Sequence, residues 1–255
     1  MNNMSIKISV VIITKNEIDR ISICLQSLHA LTDDIIVVDS RSNDGTAEKA
    51  KELGAQVFDT SWQGYGPTKN FGHQKAKYDW ILSLDADEAL SKELLEEISE
   101  MKLNPGCIYA IDRQNFYLGK AIKYSGWSPD WVLRIFNKNE VKWNENLVHE
   151  KLILPERNHI IKLKGKLFHN SYRSLEDHRT KIEKYAILRA QTWIANAKSP
   201  GIPKRFLGPI WKGFKSFILK LGFLDGKAGW TIAKMNIYLV KRQIYHFDNL
   251  KSPRS

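Results

Sequence analysis

The segment Trp80-Ile-Leu-Ser-Leu-Asp85-Ala-Asp87-Glu88 constrains this chain more than any other. Its apolar run reads as a strand buried on both faces, as inside a parallel sheet. The run ends abruptly in acid. Strand side chains alternate between faces, so Asp85 and Asp87, at i and i+2, point the same way at the strand's C-terminal end. Two hard oxygen ligands at such an edge suit Mg²⁺ or Mn²⁺ holding a diphosphate. A solvated acidic pair in a loop is the plainer alternative, and the surrounding segments decide between the two.

Those segments alternate strand and helix. Ile8–Thr14 is β-branched and continuous, and Lys15, Asn16 and Glu17 follow at its end. Ile21, Cys24, Leu25, Leu28 and Leu31 then recur on one helical face. Ile35–Val38 is a second strand closing on Asp39, followed by a turn-rich stretch, Ser40–Gly45, and a helix that Gly54 stops. Residues 55–59 form a third strand. A loop with Gly64, Gly66 and Pro67 leads to a helix over 68–76 and back to the acidic strand. Short connections between alternating elements predict an α/β fold with a doubly wound, mostly parallel sheet and helices on both faces. Its active loops are expected at the C-terminal strand ends.

The net charge of +11 is unevenly placed. Residues 199–255 hold eleven Lys and Arg against two acids, whereas residues 1–198 are nearly balanced. Two cysteines, Cys24 and Cys107, are too few for a disulfide framework and fit a reducing compartment. The polar start after Met1 does not read as a secretory signal, and no apolar run is long enough to span a bilayer. A cytosolic or membrane-peripheral protein is expected.

Thr14-Lys-Asn-Glu17 ending strand one, Val38-Asp39-Ser-Arg-Ser-Asn-Asp44-Gly-Thr46 ending strand two, and Leu84-Asp85-Ala-Asp87-Glu88 resemble the family 2 glycosyltransferases with the GT-A fold. Gly126-Trp-Ser-Pro-Asp130, Leu133-Arg-Ile-Phe136, Leu147-Val-His149-Glu150 and Gly222–Gly229 extend the resemblance toward the lipopolysaccharide-core branch, which includes glucosyltransferases acting on an inner-core heptose. No Gly-x-Gly-x-x-Gly follows strand one, which argues against a dinucleotide-binding domain. The expected organisation is a nucleotide-sugar-binding half (1–105), an acceptor-side half of the same catalytic domain (106–198) and a helical basic tail (199–255).

The resemblance implies an inverting transferase that takes a hexose, glucose from UDP-glucose, to a lipid-linked core glycan. Asp39 lies where the family reads the nucleobase, the plainer alternative being a cap on the turn that follows. Thr14, Asn16 and Glu17 lie where the family contacts the nucleoside. Asp87 is expected as the firmer metal ligand and Asp85 as a ribose or outer ligand, with a divalent Mg or Mn offsetting the charge of the departing diphosphate. His149 and His169 are candidates for a further metal ligand, and Lys69 for a positive charge in the same pocket. Direct displacement needs one base near the acceptor hydroxyl. Glu150 is the first choice, then Asp130, with Asp112 also considered. Trp127 and Trp131 flank Asp130 and can stack on a sugar ring. Arg134 reads as a phosphate partner or, equally, as a salt bridge to Asp130 or Glu140.

In the tail, Pro209 reads as a helix start, and Ile210, Trp211, Phe214, Phe217, Ile218 and Leu221 form an apolar stripe with lysines beside it. A second helix is expected over 230–243. The stripe can pack on the enzyme body or lie on anionic lipid through 206–243, attaching the protein to the inner face of the cytoplasmic membrane. Three rival readings remain. One keeps the donor and uses a polyprenyl-phosphate acceptor. A second is a metal-dependent nucleotidyltransferase, which lacks its expected Gly-rich first loop here. A nucleic-acid-binding protein would leave the acidic strand end unused.

Overall fold

The structure, a computed structural model, describes residues 7–145 and 151–251. The chain divides into two compact units. One comprises residues up to Arg113 together with Asp130–His169; the other comprises Gln114–Pro129 together with the chain from Asn170 onward.

The first unit opens with β1 (Ile8–Thr14), α1 (Ile18–Gln26), β2 (Ile35–Asp39), α2 (Thr46–Glu52), β3 (Gln56–Asp59), α3 (Tyr65–Lys75) and β4 (Trp80–Asp85). β1 pairs in parallel with β2 on one side and β4 on the other, and β3 pairs in parallel with β2. This is the doubly wound half expected from the alternation. α3 starts earlier than expected, at Tyr65, with Pro67 in its first turn, where the missing N–H costs no helical bond. Gly54, at φ +86°, stops α2 as expected.

Beyond β4 the sheet changes direction. β5 (Glu88–Leu90), α4 (Lys92–Glu100), β6 (Cys107–Tyr117), β7 (Lys120–Ala121), β8 (Trp131–Asn137), β9 (Lys142–Trp143), β10 (Leu152–Ile153) and β11 (His159–Tyr172) follow in order. The sheet order is β3-β2-β1-β4-β8-β6-β11-β5. β8 is antiparallel to both β4 and β6, and β11 is antiparallel to β5. The sheet is therefore parallel where it begins and antiparallel where it continues.

Every residue of β1 is buried, because helices cover both faces. Ile8, Val10 and Ile12 pack with Ile21, Cys24, Leu25, Leu94 and Ile98 from α1 and α4. Val11 and Ile13 point the other way and share a second core with Ile36, Val38, Phe136 and Trp143. Each such Val or Ile contributes roughly 1.5–3 kcal/mol by leaving water. Burial and the nearby carboxylates of Glu88, Asp87 and Asp85 push the Cys24 thiol well above its ordinary pKa. This cysteine is a packing residue.

The second unit holds the end of β6 with β7, then α5 (Leu175–Ala195), α6 (Ile202–Phe214), a π-helical turn (Lys215–Leu219), a 3₁₀ turn (Gly222–Asp225) and α7 (Lys227–Lys251). Ser174 caps α5 by accepting from the Asp177 N–H at 3.0 Å. α6 begins seven residues before Pro209: Gly201 precedes it, Pro203 occupies its first turn, and Pro209 lies inside it. The early proline is the start signal, and the later one removes one helical bond without ending the helix.

α7 docks on α5 through one carboxylate. Glu183 accepts from Tyr238 Oη at 2.7 Å, pairs with Arg242 Nε at 2.7 Å and lies 2.8 Å from His246 Nε2. Ala190, Trp193 and Phe247 close the apolar contact beneath it. Asp225, the acid of the Gly222–Gly229 motif, is buried and accepts from the Lys123 N–H, the Tyr124 N–H and the Ser125 hydroxyl. Gly229 is required beside it, since a Cβ there would lie 1.8 Å from the Gly222 carbonyl oxygen.

Candidate active site

The strand ends of the parallel half converge as expected. Two loops, 14–17 after β1 and 39–46 after β2, are laced together. The Asn16 N–H donates to Ser42 Oγ at 2.8 Å, and the Asn43 N–H donates back to Asn16 Oδ1 at 3.0 Å. The Glu17 N–H reaches Thr46 Oγ1 at 2.9 Å. Asp39 caps the turn, accepting from the Ser42 N–H at 2.7 Å and the Ser42 hydroxyl at 2.6 Å. Each oxygen of that carboxylate retains acceptor capacity. The hydroxyls of Thr14 and Ser40, at the ends of β1 and β2, are buried with no hydrogen-bond partner among the described residues. Such orphaned groups are uncommon in native folds and call for a partner.

Asp85 closes β4, but Asp87 lies in the turn that follows, so strand alternation does not carry it and the two carboxylates face different partners rather than pointing the same way. Lys69 Nζ, on the buried side of α3, is 3.1 Å from Asp85 Oδ1 and lies 4.5 Å from the centre of the Trp143 ring. Arg134 on β8 reaches Asp85 Oδ2 at 3.0 Å and also pairs with Glu88. Burial alone would raise the Asp85 carboxyl, but the charges of Lys69 and Arg134 outweigh it and hold the group below the usual carboxylate range. Arg134, buried between two carboxylates, is held charged more firmly than an ordinary arginine.

Asp87 faces the opposite end of the sheet. β11 runs antiparallel to β5, with His169 opposite Glu88, which brings His169 Nε2 to 3.4 Å from Asp87 Oδ2. Arg20 on α1 stands 3.8 Å from the same oxygen and 3.3 Å from Glu17. Burial opposes the charged form of Asp87, but the His169 contact prevails and the carboxyl is shifted down.

Several side chains pair differently from the sequence reading. Arg134 bonds neither Asp130 nor Glu140 but Asp85 and Glu88. Asp130 lies across from Arg113, which donates to it through Nε at 2.9 Å and to Glu88 at 3.2 Å. Asp112 is bound by Lys166 and accepts from the Asp130 N–H at 3.1 Å. Both second-line base candidates therefore already hold strand cations or backbone. Trp131 is exposed, with Lys162 Nζ 4.6 Å from its ring centre. Trp127 belongs to the second unit, where its ring packs against Tyr117 and Tyr172. His149 and Glu150 lie outside the described residues. Glu88 and Arg113 were missed as site residues. Glu88 adjoins the acidic pair and was visible, whereas nothing in the sequence marks Arg113.

Among the described residues no group of three or more His, Cys, Asp or Glu side chains is placed to hold a metal. The donor set still fits a hard divalent ion. Asp87 and His169 offer one carboxylate and one imidazole side by side, and Mg²⁺ characteristically takes one or two carboxylates and completes its shell with substrate phosphates and water. Asp85, engaged by Lys69 and Arg134, is suited to an outer position.

Comparison with known proteins places the chain in a family. Residues 9–154 match the profile of glycosyl transferase family 2. An uncharacterized glycosyltransferase of Rickettsia bellii (strain RML369-C) is 33% identical over 243 residues, covering 88% of this chain and 80% of that protein. The lipopolysaccharide core biosynthesis glycosyltransferase LpsC of Rhizobium meliloti (strain 1021) is 28% identical over 233 residues, covering 86% of this chain and 82% of its own. Among solved structures, S. aureus TarS 1-349 in complex with UDP-GlcNAc aligns with a TM-score of 0.48 at 15% identity, over 96% of this chain and 90% of that one.

A mixed sheet with a carboxylate pair at the end of its parallel half defines a GT-A-like transferase fold. The chain belongs to glycosyl transferase family 2, and is therefore an inverting glycosyltransferase using a nucleotide-sugar donor. That membership sets aside the nucleotidyltransferase and nucleic-acid readings.

Proposed function

We propose that this enzyme transfers a hexose, glucose from UDP-glucose, onto an inner-core sugar of lipopolysaccharide. The observation carrying the donor half is the approach of His169 to Asp87 beside an Asp85 held by Lys69 and Arg134. The acceptor half is supported by the relation to LpsC and by the motifs from Gly126 to Glu150.

Asp39 accepts from the nucleobase N–H, using the lone pairs that Ser42 leaves free. Thr14, Asn16 and Glu17 face the nucleoside, and the unsatisfied Thr14 hydroxyl gains a partner there. Asp87 and His169 would hold Mg²⁺ or Mn²⁺, and a bound ion would supply charge stabilisation for the nucleoside-diphosphate leaving group. Lys69 adds a fixed positive charge in a buried setting, where it acts more strongly than at a surface. Arg134 holds Asp85 in place from β8. Glu150 takes the proton from the acceptor hydroxyl as the hydroxyl attacks the anomeric carbon and the C–O bond to the diphosphate breaks.

The acceptor is tested by incubating the enzyme with UDP-glucose and Mn²⁺ on two substrates, a heptose-containing truncated core glycolipid and a polyprenyl phosphate. Glucose on the core substrate alone is the expected result. Transfer to the polyprenyl phosphate alone replaces this acceptor with the rival one.

A further inference from the structure

The geometry points to α6 and the turn after it as a docking surface for an anionic lipid bilayer, with α7 as the support behind it. α6 is built inside out for a helix in water. Ile202, Phe206, Leu207, Ile210 and Trp211 are 73%, 72%, 64%, 65% and 56% exposed. Its buried residues are Pro209 and Gly213, with Ser216 continuing the row in the π-helical turn. A Cβ on Gly213 would come within 2.6 Å of the Ile237 side chain, so the close approach to α7 requires a residue without one. Small residues against protein and large apolar residues outward is the arrangement of a helix with hydrocarbon on its outer side. A contiguous exposed apolar face of this kind marks an interaction site.

Charge selects the occupant. Between residues 199 and 224 there are five cations, Lys204, Arg205, Lys212, Lys215 and Lys220, and no acid. The first acid, Asp225, is buried with its carboxylate taken by residues 123–125. Arg205 is paired with Asp248 at 2.8 Å and Lys204 Nζ lies 4.4 Å from the Trp193 ring centre of α5, which leaves the exposed Lys212, Lys215 and Lys220 beside the apolar face. Two copies of this surface would bring lysines against lysines with no acid between them. A bilayer containing anionic headgroups supplies both hydrocarbon for Trp211 and Phe214 and negative charge for the lysines. No helix of the described residues is long and apolar enough to cross a membrane. At thirteen residues, α6 is about 20 Å long and suited to lying in the interface.

α7 follows the packing alternative over most of its length. Ile232, Ala233, Val240 and Phe247 are buried, and Tyr238, Arg242 and His246 are bound to Glu183. The exposed apolar surface covers 202–224 and takes in Trp230 at the start of α7, whose ring packs on Phe217, while most of the rest of that helix packs inward. On this reading the enzyme works as a peripheral protein on the inner face of the cytoplasmic membrane.

The test is co-sedimentation of the full chain with vesicles of phosphatidylethanolamine and phosphatidylglycerol, against vesicles of phosphatidylcholine, at low and high salt. Two double variants are compared, Trp211→Ser/Phe214→Ser and Lys212→Glu/Lys215→Glu; the second leaves the apolar face untouched. Binding confined to the anionic vesicles and weakened roughly tenfold or more in each variant is expected. UDP affinity should remain at the parent value in both, which separates this surface from the donor site. No binding to anionic vesicles overturns the proposal. So does a stable lipid-free dimer that the Trp211→Ser/Phe214→Ser variant dissociates, since the face would then belong to a second copy.

Discussion

His169 Nε2 lies 3.4 Å from Asp87 Oδ2 because β11 runs antiparallel to β5 and sets His169 opposite Glu88. The contact joins the last residue of the first unit to the acidic pair that ends its parallel half. It gives Asp87 an imidazole neighbour, while Asp85, two residues earlier, faces Lys69 and Arg134 instead. Two carboxylates of one motif are thereby assigned different chemistry by what surrounds them.

Glu88 anchors that arrangement. Its side chain is fully buried and pairs with both Arg134 and Arg113. Glu88→Gln leaves two arginines short of a negative partner, and breaking a buried pair costs about 3–5 kcal/mol. Urea unfolding should show the loss directly. An unchanged midpoint would mean that Asp85 and Asp130 alone balance the two cations.

Much of this half was legible in the sequence. The β-branched run of β1, the turn residues after Asp39 and the apolar strand ending at Asp85 are local signals, and each became the expected element. Partner choice was not legible. Arg134 meets Asp85 and Glu88 because β8 inserts between β4 and β6, and Arg113 meets Asp130 through the β6–β8 register. Neither strand order nor register is written in a local pattern. The tail was ambiguous for another reason: an apolar helical stripe looks the same whether it packs on protein or faces outward. Gly213, held against Ile237 of α7, and the buried Pro209 reveal which side is buried.

Asp225 is the corresponding anchor of the second unit. Asp225→Ala removes the acceptor for two backbone N–H groups and the Ser125 hydroxyl, at a cost of about 3 kcal/mol. Thermal unfolding of this variant should begin earlier than in the parent, and Asp225→Asn, which keeps an acceptor oxygen, should recover part of the loss. Equal stability of the alanine variant would show that water replaces the carboxylate without penalty.

Stability should decline on mild acidification through two buried histidines. Burial lowers His73 to about 3, with Lys69 and Lys138 adding to the shift, and burial lowers His178 to about 4. Both are neutral in the fold, whereas the unfolded chain takes up protons near the ordinary histidine value of about 6.5. Their contribution is complete above that value and is lost as pH falls toward the folded values, by an amount on the order of a few kcal/mol. The urea midpoint should fall between neutral pH and about pH 4.5, within this titration window. His73→Leu, which replaces a ring whose Nε2 has no partner, should flatten the slope.

The proposed donor site is a metal-assisted one built on Asp87 and His169. Calorimetric titration with UDP-glucose and with UDP, with and without Mn²⁺, on the parent protein and on Asp87→Ala, tests it most directly. Binding should strengthen with Mn²⁺ in the parent and lose that dependence in the variant. Tight binding indifferent to both the metal and the substitution would contradict it.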